Sequence, residues 1–274
     1  MNLSPCGNSL PTGKRDRLLR LLQLPPAQAG FSLCYQPIWQ ASARCFSRCE
    51  ALLRLHDPLL GTVPPEHFIP LAEQTDRIAA LGQFALEEGC CLLTKLEEQA
   101  IPLTLHVNLS PLQLDRPKFL RMLEQILHHT GVRPERLELE LTESAAAASV
   151  ERLTHQMEQI RAMGVNFSLD DFGSGYSSLR YLASLPFSTV KLDKVFIQPL
   201  PQSPSYMSLV KNLIPALHEL GFAVVGEGVE NPAQYRILER LGCDYMQGFL
   251  LAKPMPKAEL LNFLKAPHSL VFPS

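Results

Sequence analysis

The stretch FSLCYQPIWQASARCFSRCEALLRL, residues 31–55, holds two apolar segments with only a few residues between them. Residues 31–39 and 45–55 each read as a strand, dense in aromatic and aliphatic side chains. A parallel crossover takes a dozen or more residues, so a link this short makes the pair an antiparallel hairpin.

Beyond the hairpin, a helix over 76–99 leads into a different rhythm. Strands are expected at 103–109, 137–142, 166–170, 189–193, 222–227 and 245–250, with amphipathic helices between them at 117–130, 150–163, 207–220 and 232–241. Gly131, Gly164, Gly221 and Gly242 follow those helices, where glycine supplies a left-handed cap, and Asn231-Pro232 offers a cap residue followed by a proline at the first helical position. Eight strands with helices between most of them favour an α/β fold, a TIM-like (β/α)8 barrel whose first strand is antiparallel. An open doubly wound sheet is the competitor. The barrel is expected over 31–265, after an N-terminal extension, 1–30, and before a tail, 266–274. The extension carries a short amphipathic helix at 17–24, ended by Pro25-Pro26, that should pack on the barrel.

The chain has 274 residues, 46% of them hydrophobic, and a formal net charge of -2. That balance gives no basic footprint for a nucleic-acid polymer and no polybasic patch for a membrane. The N-terminus lacks a signal peptide's order, and no apolar run approaches about 18 residues, so a cytoplasmic, soluble chain is expected. Seven cysteines, odd in number and without a C-x-x-C pair, argue against a zinc ribbon or a disulfide framework.

Strand parity assigns faces. Leu105, Val107 and Leu109 leave His106 and Asn108 on the other face; Leu137, Leu139 and Leu141 oppose Glu138 and Glu140; Phe167 and Leu169 oppose Ser168 and Asp170; Val190 and Leu192 oppose Lys191 and Asp193. The apolar faces must meet the helices, so the polar ones look into the barrel, and their last members stand at the carboxyl ends where barrel enzymes build their sites. Glu50, Glu140, Asp170 and Asp171 would then crowd one mouth, and Lys191 alone cannot offset four carboxylates. Two divalent cations would, and an oxygen-only ligand set suits Mg2+ or Mn2+ better than Zn2+. Asp170 pointing inward can serve both ions while Asp171, at the start of the loop, turns to the second. Phosphodiester hydrolysis is the reaction class such a pair of ions suits. Glu138 is expected in a structural ion pair, and His56 and His106 in hydrogen bonds to backbone rather than on a metal. Trp39 and Phe68 are candidates for stacking on a base or for core packing.

Tyr35-Gln36-Pro37, Glu50-Ala51-Leu52-Leu53-Arg54, Phe68-Ile69-Pro70-Leu71-Ala72-Glu73, Val107-Asn108-Leu109-Ser110, Glu140-Leu141-Thr142-Glu143-Ser144, Asp170-Asp171-Phe172-Gly173-Ser174-Gly175-Tyr176, Lys191-Leu192-Asp193, Glu227-Gly228-Val229-Glu230 and Gln247-Gly248 together resemble the EAL domain of bacterial cyclic di-GMP phosphodiesterases over about residues 31–265. The resemblance implies a TIM-like barrel with its first strand reversed, hydrolysis of cyclic di-GMP to linear 5'-pGpG, two Mg2+ or Mn2+ ions with Ca2+ inhibitory, and a homodimer. It also implies roles. Glu50, Asn108 and Glu140 would hold the first metal, Asp170 would bridge, and Asp171 would hold the second. Lys191 and Glu227 would act on the nucleophilic water. Gln36, Leu52, Arg54, Asp193 and Gln247 would lie toward the nucleotide, and Glu143 would anchor the loop over 171–177 that also serves dimerisation. A nucleotide receptor without turnover, or a protein-interaction module on the same barrel, are the alternatives.

Overall fold

The two apolar segments of that opening stretch pair as an antiparallel hairpin in the computed structural model, which describes residues 12–142, 150–174, 182 and 184–268. Helix Thr12–Leu21 (α1) precedes the hairpin strands Phe31–Gln40 (β1) and Cys45–Asp57 (β2), and a short strand Gly61–Val63 (β3) folds back on the end of β2. Helices Pro65–Gln74 (α2) and Ile78–Glu98 (α3) lead to Thr104–Asn108 (β4). There follow the short helix Pro111–Leu114 (α4), Phe119–Thr130 (α5), Leu137–Thr142 (β5), Val150–Ala162 (α6), Asn166–Phe172 (β6) and Thr189–Leu192 (β7). The chain continues through Lys194–Ile197 (α7), Pro204–Glu219 (α8), Ala223–Gly226 (β8), Pro232–Arg240 (α9), Tyr245–Met246 (β9), Met255–Pro256 (β10) and Lys257–Lys265 (α10).

From β2 through β4, β5, β6, β7 and β8 to β9 every neighbouring pair is parallel, whereas β1 is antiparallel to both β9 and β2 and so closes the ring. The result is an eight-stranded β/α barrel with its first strand reversed. The leucines that parity sent outward, 105, 137, 139 and 141, are completely buried against the helices. Helix α5 stops where expected because Gly131 adopts φ 67°, a left-handed cap that residues with a side chain rarely take.

Leu18, Leu21 and Leu22, in and just after α1, are buried in a second apolar cluster with Phe31, Leu55, Phe68 and Ile78. Trp39 and Phe68 are fully buried and pack edge-on against Phe46 and Phe31, at 5.0 and 5.2 Å between ring centroids. Neither can stack on a ligand. Strand β9 ends at Met246, short of the expected 250, because Gly248 begins a turn whose amides bond back to the 226–229 segment. Among the described residues, no helix is long and apolar enough to cross a membrane.

Candidate functional site

Strand register brings the polar inward faces level. Glu50 pairs with His106 across β2 and β4, Asn108 with Glu140 across β4 and β5, and Thr142 with Asp170 across β5 and β6. Glu227 follows β8, its amide held by Leu192 O at 3.0 Å, and Gln247 follows β9, its amide held by Gly226 O at 2.9 Å. These side chains converge at one mouth of the barrel on Lys191, only 1% exposed. Its Nζ lies 2.8 Å from Glu140 Oε1, 2.8 Å from Glu227 Oε1, 3.0 Å from Asp170 Oδ1 and 3.3 Å from Glu50 Oε2.

Asp171 reaches the same place by a backbone device. Ordinary alternation would turn it away from Asp170, but its φ of 54° and a register shift against β7 between Leu169 and Phe172 rotate it. Asp170, Asp171 and Glu227 can each offer a carboxylate oxygen within 4.8 Å of the others. The turn also buries Phe172, whose ring stacks on Phe196 at 6.4 Å.

Glu50 is held from three sides: Asn108 Nδ2 donates to Oε1 at 2.8 Å, Gln247 Nε2 donates to Oε2 at 2.8 Å, and Lys191 adds its charge. Burial alone would raise its pKa, but Lys191 and the two amide donors outweigh it and lower it to about 2. The other acids fare differently. Burial, with Glu50 and Asp170 close by, lifts Glu140 well above the usual carboxylate range. Burial lifts Glu227 to about 8 against the pull of Lys191, and burial with the neighbouring Asp170 lifts Asp171 to about 6. Protons are the means by which this cluster relieves its own repulsion.

Beneath it, Arg48 Nη1 donates to Glu138 Oε2 at 3.0 Å and to Thr189 Oγ1 at 3.3 Å, with the guanidinium 3.9 Å over the Tyr245 ring. Glu138 is therefore in an ion pair, as expected. His106 is not bonded to backbone as expected: its Nδ1 is 2.9 Å from Glu140 Oε1 and its Nε2 3.4 Å from Arg48 Nη1. Burial drives its pKa to about 4, so the ring is neutral, and these partners assign the tautomer in which Nδ1–H donates to Glu140 and Nε2 accepts from Arg48. His56 lies on the exposed side of the hairpin.

The cluster lines a cavity of about 430 Å³ together with Gln36, Asp193, Lys194 and Phe249. Gln36 accepts from Gln247 Nε2 at 3.1 Å and donates to Ala252 O at 3.1 Å. Asp193 spends Oδ1 on the amide of Val195, capping α7. Leu52 and Arg54 line instead a neighbouring cavity of about 400 Å³, which Asn108 also lines and which shares Glu50 with the first. Glu143 and the loop beyond Ser174 lie outside the described residues. Arg48, Thr189 and Phe249 were not picked out from sequence. Arg48 could have been, since it stands two residues before Glu50 and so on the same face of β2.

The donor chemistry suits hard cations. Glu140 Oε2 and Gln247 Oε1 are buried with no hydrogen-bond partner among the described residues, a costly arrangement unless something electropositive faces them. Glu50, Glu140, Asp170, Asp171 and Glu227 offer oxygen alone, as Mg2+ and Mn2+ prefer.

A closed β/α barrel with an acidic, oxygen-only site at the carboxyl ends of its strands defines the class of (β/α)8 proteins that place polar chemistry on that rim. Within that class the chain belongs to the EAL domain family, whose profile matches residues 16–254. The bifunctional diguanylate cyclase/cyclic di-GMP phosphodiesterase MucR of Pseudomonas aeruginosa is 39% identical over 230 residues, 84% of this chain and 34% of that protein. The cyclic di-GMP phosphodiesterase NbdA of the same organism is 36% identical over 235 residues, 85% of this chain and 30% of that protein. This chain thus spans about a third of the length of these curated relatives. Among solved structures, the MucR phosphodiesterase in complex with c-di-GMP superposes with a TM-score of 0.83 at 38% identity, covering 89% of this chain and 99% of that one.

Proposed function

We propose that this chain is a metal-dependent phosphodiesterase that opens cyclic di-GMP to linear 5'-pGpG. The observation that carries the reading is the charge imbalance at the mouth: Glu50, Glu140, Asp170, Asp171 and Glu227 gather where Lys191 is the cation in contact. Five acids and one ammonium leave an excess that two divalent ions would neutralise. Glu50, Asn108, Glu140 and Asp170 would hold one ion, and Asp170 with Asp171 the other. Two such ions, Mg2+ or Mn2+, would supply positive charge to the phosphodiester and lower the pKa of water at the site. Ca2+ prefers longer, more numerous and less ordered oxygen contacts and is expected to inhibit.

The chain's own groups do the rest. Water adds to phosphorus, the bond to one ribose 3'-oxygen breaks, and that oxygen leaves as a hydroxyl. Lys191, held by its carboxylate partners, places its ammonium charge beside the oxygens on which negative charge grows. Glu227, adjacent to Lys191 and ionised once bound divalent ions displace its proton, would accept the proton that water gives up and pass it to the departing 3'-oxygen. Gln247 keeps Glu50 aimed, while Gln36 and Asp193 line the same cavity as the reacting groups and Leu52 and Arg54 take up the nucleotide next door. Glu143 would hold the segment following Asp171, which is also the region a homodimer would use. The test is turnover of cyclic di-GMP by purified protein in Mg2+, Mn2+ and Ca2+. Linear pGpG in the first two and none in the third is expected; tight binding without product in any metal would leave a receptor instead.

A further inference from the structure

Two residues before Asn108 on the inward face of β4, His106 is completely buried and stands in the layer beneath the mouth, paired in register with Glu50 on one side and Glu138 on the other. Both ring nitrogens must therefore find partners within the barrel. Nδ1 lies 2.9 Å from Glu140 Oε1, the same oxygen that Lys191 Nζ approaches at 2.8 Å. An ammonium can only donate, so Oε1 already accepts, and the hydrogen in the second contact belongs to Nδ1.

On the far side of the ring, Arg48 Nη1 stands 3.4 Å from Nε2. A guanidinium also only donates, which leaves Nε2 its lone pair. Glu138 Oε2, the acceptor that would favour the other tautomer, is 3.6 Å from Nε2, beyond hydrogen-bond reach. Arg48 is itself held, by Glu138 Oε2 at 3.0 Å and by the Tyr245 ring 3.9 Å from its guanidinium carbon. The donors thus run in one direction, from Arg48 to His106 to Glu140.

A carboxylate held by one donor can pivot about it, whereas two donors reaching it from different walls of the barrel, β4 and β7, fix its plane. Lys191 cannot do this alone, because its ammonium hydrogens are shared among Glu140, Glu50, Asp170 and Glu227. Among the described residues, His106 is the other donor that the Glu140 carboxylate meets. Taking the mouth as the metal site proposed above, we infer that His106 is a positioning residue: its Nδ1–H fixes the Glu140 carboxylate for a divalent cation, and Arg48 sets the tautomer that allows it. Partners that orient a metal ligand typically matter about 10–100-fold in affinity or activity.

The test is calorimetric titration of Mn2+ into the full chain and three variants. His106→Leu removes the donor and should weaken Mn2+ binding at least about tenfold. His106→Asn puts an amide N–H where Nδ1 was and should bind nearly as the parent does. His106→Gln, whose amide falls where Nε2 was, should behave like His106→Leu and stands in for it if that variant does not fold. Turnover of cyclic di-GMP by His106→Leu should recover as Mn2+ is raised, with KM unchanged. In the Mg2+-loaded parent, 15N NMR of the imidazole should place the His106 hydrogen on Nδ1. Equal Mn2+ affinity in the parent and His106→Leu, equal losses in His106→Asn and His106→Leu, or a hydrogen on Nε2 overturns the role of His106 while leaving the metal site standing. A parent chain that binds no Mn2+ overturns the metal site itself, and the positioning role with it.

Discussion

Gln247 and Glu50, 197 residues apart in the chain, are joined by a 2.8 Å hydrogen bond from Nε2 to Oε2. The bond crosses the seam where β1 closes the barrel, so an acid from the hairpin is aimed by an amide from the last stave of the ring. Groups that orient a metal ligand typically matter about 10–100-fold in metal affinity or activity. Gln247→Leu is therefore expected to lower Mn2+ affinity and cyclic di-GMP turnover by about that factor, with Glu50→Gln abolishing turnover. Calorimetric titration with Mn2+ beside a product assay reads both. A Gln247→Leu protein that binds Mn2+ like the parent would contradict the orienting role.

Lys191 makes a sharper separation possible. Its ammonium is the cation common to four carboxylates, and breaking a buried ion pair by removing one partner costs about 3–5 kcal/mol because the remaining charges stay buried. Lys191→Met should lower the melting temperature of the metal-free protein, recover much of that loss on addition of Mn2+, and still turn over no cyclic di-GMP. Thermal unfolding with and without Mn2+ measures it. A variant whose stability is indifferent to Mn2+ would show that the acids do not hold the ion.

Glu140, Asp170 and Lys191 were legible because apolar–polar alternation is written residue by residue, and each strand has only one face that can be buried against helices. Asp171 was legible only as a loop residue; its turn into the site depends on a left-handed φ and a bulge, set by how Phe172 packs on Phe196. His106 was placed on the correct face with the wrong partner, since the 2.9 Å contact with Glu140 is a matter of register between β4 and β5. The segment over 61–74 was not read as strand and helix at all. Strand β3 is three residues long, and α2 carries Pro70 in its interior, so neither presents the usual period. Arg54, expected toward the nucleotide from the resemblance alone, donates to Leu53 O at 3.1 Å and lines the neighbouring cavity.

Glu140, Glu227 and Asp171 have pKa values raised by burial and by the nearby Glu50 and Asp170 carboxylates, Glu227 to about 8 and Asp171 to about 6. A divalent cation must displace the protons these groups hold. Mn2+ binding is thus expected to release protons and to tighten as pH rises from about 6 to 8, most steeply toward the upper end where Glu227 titrates. Titrations in two buffers of different ionisation enthalpy give the number released. Binding whose heat is the same in both buffers, and whose affinity is flat over that range, would contradict it.

At the opposite end of the sequence, Asp57 ties α1 to the hairpin. Its Oδ2 accepts from Arg17 Nη2 at 2.7 Å and Nε at 3.2 Å, while Oδ1 accepts the amides of Leu59 and Leu60, both at 3.0 Å. The Arg17 hydrogen bonds, more than the two amides, hold the Asp57 pKa below its ordinary value. A lowered carboxylate pKa contributes stability that is present above the unfolded-state value, about 3.9, and is lost as pH falls through the folded one. Arg17 is shifted upward and stays charged throughout this range. Amides of α1 should therefore exchange with solvent faster below about pH 4, while those of β5 do not. Asp57→Asn cannot accept the charged pair and should show the fast α1 exchange already at pH 7, with little further change on acidification. Hydrogen exchange read by mass spectrometry at pH 7 and pH 3, corrected for intrinsic rates, distinguishes the outcomes; an Asp57→Asn protein with parental α1 protection at pH 7 would show that the apolar contacts of Leu18 and Leu21 hold the helix without the ion pair.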